Sequence, residues 1–120
     1  MAFLFKIRLT KRPLTIQTDG TYWFIGCDDG KILKITIANN TTVTLASFVG
    51  RAVNAMCSDG TSMYAGLSDG SVKKITLADG TVAELEPKSK TRAAIISIHY
   101  NSTLVSFGFN DGSIKTRATT

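Results

Sequence analysis

The strongest constraint on this chain is that it repeats itself. Residues 19–41 and 59–81 share 11 identities in 23 positions at a spacing of 40. Asp19-Gly20-Thr21 returns as Asp59-Gly60-Thr61, Gly26 as Gly66, Asp29-Gly30 as Asp69-Gly70, and Lys34-Ile35-Thr36 as Lys74-Ile75-Thr76. A third copy follows at a spacing of 42, with Gly108 standing for Gly66 and Asn110-Asp111-Gly112-Ser113 answering Ser68-Asp69-Gly70-Ser71. Repeats of this length are supersecondary units that bury their apolar faces by stacking on their neighbours.

Inside each unit the apolar period is two rather than 3.6, which predicts strands. Unit one reads as strands over 14–18, 22–27, 31–38 and 42–48, and unit two over 52–58, 62–67, 71–78 and 81–86. Unit three reads as 94–100, 103–109 and 113–118, and lacks a fourth strand. Asp-Gly at 29–30, 69–70 and 111–112 predicts two-residue type I′ hairpin turns, in which both central residues take positive φ. Asn39-Asn40 and Asp79-Gly80 supply the next turn of their units. Ahead of unit one, Phe3, Phe5, Ile7 and Leu9 alternate with Leu4, Lys6 and Arg8. That segment is expected to be the missing outer strand of unit three.

Stretches such as Tyr22-Trp23-Phe24-Ile25-Gly26-Cys27-Asp28-Asp29-Gly30 and Met63-Tyr64-Ala65-Gly66-Leu67-Ser68-Asp69-Gly70 resemble blades of the quinoprotein-type and WD-repeat-like β-propellers. The resemblance implies an all-β chain of three four-stranded blades, over about 13–48, 51–86 and 92–118. The chain departs from true WD repeats in having no Trp-Asp or Gly-His dipeptide, and it lacks the tryptophan that ends each quinoprotein blade. No quinone or other cofactor is therefore expected. Three blades leave two apolar faces in water, whereas two chains give six blades, inside the range that closes a ring. The expectation is a homodimeric six-bladed propeller. In it, Phe3, Phe5, Ile7 and Leu9 of one chain pair beside Ile114 of the other and bury both sheet edges.

In a propeller, the loops ahead of the inner strands and the turns after the second strands share one face. Arg12, Arg51 and Arg92 occupy the loops, and Asp28, Asp29, Asp69 and Asp111 the turns. Arg12, Arg51, Arg92, Asp28, Asp69 and Asp111 are thus the candidate ligand-binding set, suited to a glycan, anion or peptide. The same residues would also be present if Asp merely favoured the turns and Arg paired with it. Tyr22, Trp23, Tyr64 and Tyr100 could stack on sugar rings or pack between blades.

Composition mainly excludes. One histidine, His99, two cysteines and no nucleophile elbow leave no expected catalytic set or metal site, so the chain is not expected to be an enzyme. Cys27 and Cys57 are expected to be buried thiols. The net charge of +5 is the sole ground for a nucleic-acid partner, and Lys6, Arg8, Lys11, Arg12, Lys73 and Lys74 alternate with apolar residues as a solvated face would. Nucleic acid and membrane are not expected partners. With no secretion signal read, a cytoplasmic or otherwise soluble location is expected. The functional expectation is a non-catalytic binding module with repeated sites, lectin-like in its most concrete form. The alternative is a structural or protein-interaction scaffold without a small ligand.

Overall fold

A computed structural model of the chain describes residues 9, 11–88, 90 and 93–119. The protein is all-β, and the described residues contain no helix. Sheet I holds β1 (Pro13–Thr18), β2 (Tyr22–Cys27), β3 (Lys31–Thr36) and β4 (Thr42–Ser47). Sheet II holds β5 (Val53–Ser58), β6 (Ser62–Leu67), β7 (Val72–Thr76) and β8 (Val82–Glu86). Sheet III holds β9 (Ile95–Asn101), β10 (Leu104–Phe109) and β11 (Ile114–Ala118). Each sheet is an antiparallel meander in chain order. The strands start and stop within two residues of where the repeat predicts them. The chain holds three separate sheets and, among the described residues, no closed ring.

The type I′ expectation for the Asp-Gly turns does not hold. Asp29, Asp69 and Asp111 keep negative φ, while Gly30, Gly70 and Gly112 take +90°, +86° and +91°. The turn is one residue longer: Gly30 N–H donates to Cys27 C=O at 3.2 Å and Gly70 N–H to Leu67 C=O at 3.1 Å. The aspartate carboxylate then accepts from the second backbone N–H beyond it, Lys31, Ser71 or Ser113, at 3.1, 2.9 and 2.9 Å. A short acceptor that caps the turn and a glycine free to sit at positive φ account for the Asp-Gly pair without Asp leaving its ordinary backbone region.

Alternation along the strands gives every sheet two faces, and the sheets stack through them. Phe24, Ile32 and Ala46 of sheet I form one core with Val53, Met56, Met63, Ala65, Leu67 and Ile75 of sheet II. Cys57, Tyr64 and Val72, on the other face of sheet II, form a second with Ile95, Val105, Phe107 and Phe109 of sheet III. Sheet II is covered on both sides, so all six residues of β6 are buried, whereas all five of β11 are exposed. The first strands β1, β5 and β9 lie side by side across the three sheets.

Candidate functional site

The turns β2–β3, β6–β7 and β10–β11 meet the segments leading into β1, β5 and β9, and backbone bonds fasten them there. Asp28 N–H donates to Arg12 C=O at 3.0 Å, Ser68 N–H to Ala52 C=O at 3.0 Å, and Asn110 N–H to Ala94 C=O at 2.9 Å. Side chains reinforce two of these ties. Ser68 Oγ accepts from Ala52 N–H at 2.9 Å, and Asn110 Oδ1 from Ala94 N–H at 3.1 Å. Repeated loop chemistry thus puts three equivalent turn–loop pairs at one end of the stack.

Four of the six candidate binding residues meet there in pairs. Arg51 Nη1 lies 3.1 Å from Asp69 Oδ2 in a half-buried ion pair. Arg12 Nε lies 3.6 Å from Asp28 Oδ2, and its side chain is 74% exposed. Asp111 spends its carboxylate on Ser113, whose N–H and Oγ lie at 2.9 and 2.6 Å. Arg92 lies outside the described residues. Burial works against the charge of Asp69, but the bonds from Ser71 and the Arg51 guanidinium outweigh it and lower its pKa. At the Arg51–Asp69 pair the loops leave an open depression of about 520 Å³ lined by Val49, Gly50, Arg51, Ser68, Asp69 and Lys88. Lys88 and Val49 were not among the sequence candidates, because neither has a repeat-equivalent residue of its own type.

The aromatic candidates are divided between packing and surface. Tyr64 is fully buried, stacks on Tyr100 with centroids 6.2 Å apart and donates its hydroxyl to Asp59 Oδ2 at 2.7 Å. Tyr22 packs beside Phe24 and lies under Lys34 Nζ at 4.1 Å from its ring centre. Trp23 points to the opposite face of sheet I, where Ile25, Cys27 and Ile35 form a third cluster that Leu9 packs against. Both cysteines are free and buried. Burial, aided by Asp59, pushes the Cys57 thiol up to about 12, and burial with Asp29 and Asp28 raises that of Cys27.

Of the expected contact residues, Phe3, Phe5 and Ile7 lie outside the described residues. Ile114 stands on the open face of sheet III with 75% of its surface exposed. His99 opens onto the same face, in a depression of about 190 Å³ that it shares with Ser97, Ser106, Gly108 and Ile114. No helix is long and apolar enough to cross a membrane among the described residues.

No family model matches the sequence, and no curated protein matches it. Solved structures do match in fold. The computationally designed Ika4 protein superposes with a TM-score of 0.74 at 18% identity, over 88% of this chain and 64% of that one. The computationally designed Ika8 protein gives 0.75 at 18% identity, over 87% of this chain and 32% of that one. The extracellular domain of a two-component system from B. thetaiotaomicron gives 0.69 at 14% identity, over 86% of this chain and 15% of that one. The chain therefore spans less than two thirds of the length of each. These likenesses show the fold: an all-β array of repeated sheet units.

Proposed function

We propose that the chain is a non-catalytic binding module, formed as three blades of a β-propeller that a second copy completes to six. The observation that carries this reading is the side-by-side placement of β1, β5 and β9 with the sheets stacked face to face behind them, which is how blades surround an axis. Leu9 supports a role for the segment 3–9 as an outer strand. It packs on the face of sheet I that looks away from sheet II, where the preceding blade of a ring would lie. The fully exposed β11 is the edge such a strand would join. The matched three-sheet span fills 64% of one designed chain and 32% of another, so both of those chains extend beyond it.

Binding is assigned to the loop end, at the depression edged by Arg51, Asp69 and Lys88. A polar, open site present once per chain, and so twice in a two-chain ring, suits weak ligands that gain by avidity, such as glycans. A glycan array followed by titration of isotope-labelled protein tests it. The expected result is saturable shifts at Arg51 and Lys88 at millimolar sugar, and their absence removes the glycan reading. One observation favours a second reading, a protein-interaction scaffold without a small ligand: Arg12 and Arg51 already hold Asp28 and Asp69. Recovery of a specific protein partner that Lys88→Glu releases, with no sugar bound, would support it.

A further inference from the structure

Both junctions inside the chain use one device. An added Cβ on Gly26 would stand 2.6 Å from Val53 Cγ1 and 2.7 Å from Thr15 Cγ2 of its own sheet, and one on Gly66 would strike the Ile95 side chain. Val53 and Ile95 are the first residues of β5 and β9, and both are fully buried. Each glycine therefore leaves a hole in one sheet that the first residue of the next sheet enters, at Gly26 beside Thr15 of the same sheet. Gly108 holds the same place in sheet III, and there the nearest atom to an added Cβ is Ser97 Oγ of the same sheet at 3.0 Å.

The matching knob is present but unused. Pro13 opens β1 opposite Cys27, as Val53 opens β5 opposite Leu67 and Ile95 faces Phe109. Pro13 is exposed. The open face beside the hole carries the same mark. Ile32 and Val72, on the covered faces of sheets I and II, are 0% exposed, whereas Ile114 at the same repeat position is 75% exposed.

We infer that Gly108 receives Pro13 of a second copy of this chain, docking the open face of sheet III onto the outward face of sheet I. The inference rests on the ring reading above and names its contact. A second copy is the occupant because sheet I presents Trp23 and Ile35 at the repeat positions of Met63 and Ile75, the residues by which sheet II receives sheet I. A polar tie accompanies the knob. Across the first junction Gln17 Nε2 donates to the Met56 carbonyl at 3.1 Å. His99 pairs with Ser106 as Gln17 pairs with Phe24, and Ile16 stands where Met56 stands. His99 thus donates to the carbonyl of Ile16 of the second copy.

Sedimentation over a range of concentrations tests the contact in the full-length wild type, Gly108→Val and Gly108→Ala. Gly108 does not take positive φ, and the one atom an added Cβ would crowd is the Ser97 hydroxyl, which must turn aside. Filling the hole at both junctions of a two-chain ring is expected to raise the dimer dissociation constant about a hundredfold for valine and less for alanine. If Gly108→Val unfolds, Ile114→Lys carries the same test, because that side chain is exposed in the single chain. A dimer that withstands both Gly108→Ala and Ile114→Lys unchanged overturns the contact and leaves the ring reading standing. A wild type that stays monomeric at every concentration overturns both.

Discussion

Between sheets I and II, Ala46 and Ile75 share an apolar cluster. Between sheets II and III, the residues at the same repeat positions are Glu86 and Arg117. Glu86 is buried and accepts from Arg117 Nε at 2.6 Å and Lys115 Nζ at 2.8 Å. Its burial works against the charge, but those two partners outweigh it and hold the carboxyl below its ordinary 4.5. The second junction also has an apolar cluster, with Tyr64 against Tyr100 where Phe24 packs in the first, and polar ties from Asn54 Nδ2 to the Ile95 carbonyl at 2.9 Å and from Lys74 Nζ to the Thr119 carbonyl at 3.0 Å. Stacking therefore tolerates a change of chemistry at one position when both partners change together. Glu86 is buried while Arg117 and Lys115 remain about half exposed, so these pairs offer little net stability over an apolar pair, whereas removing the cations would leave a buried charge without partners.

The largest expected effect is in the apolar junction. Phe24→Ala should cost about 3–5 kcal/mol in urea unfolding, since the ring fills space between two sheets that cannot close over it. A loss below about 1 kcal/mol would mean that the sheets are not held through this cluster. In the mixed junction, Glu86→Ala alone should cost roughly 1–3 kcal/mol, with Lys115 and Arg117 partly recovered by water. Combining it with Arg117→Ile rebuilds the Ala46–Ile75 pattern and should restore stability to within about 1 kcal/mol of wild type. Additive losses would show that the two junctions are not variants of one design.

Acid sharpens the same contrast. Glu86 has a lower pKa folded than unfolded, so the folded state binds fewer protons. Its contribution is complete above the ordinary 4.5 and is lost as pH falls through the folded value. Asp59 and Asp69 are lowered too, by hydrogen bonds that outweigh their burial, and act with the same sign. Chemical unfolding at stepped pH should therefore show an acid loss in wild type that is shallower, not absent, in Glu86→Ala with Arg117→Ile. The smallest effect is at the loop end: Arg12→Ala should change stability by less than about 0.5 kcal/mol, because its pair with Asp28 is open to water.

The repeat made the strands and their meander legible, because a period of two between recurring turns leaves little choice. Turn geometry was less legible. Asp-Gly is compatible with two turn lengths, and the choice lies in the φ of Asp29, Asp69 and Asp111. The loop end was legible as a place, since strand order alone brings Arg51 beside Asp69, but Lys88 in its depression breaks the repeat and left no pattern to find. Glu86 was missed for another reason. Arg117 is conspicuous as a charge at the position of Ile35 and Ile75, yet its partner shows only when Ala46 is compared with Glu86 at the same spacing of 40. Three-dimensional neighbours that change together in a repeat are readable only as a pair.

In the proposed assembly this chain is half of a ring built from one repeated junction. Its most direct test is the absolute mass in solution by light scattering on a sizing column. A two-chain ring gives twice the chain mass of 12.9 kDa. A well-folded species at 12.9 kDa across all concentrations would contradict it.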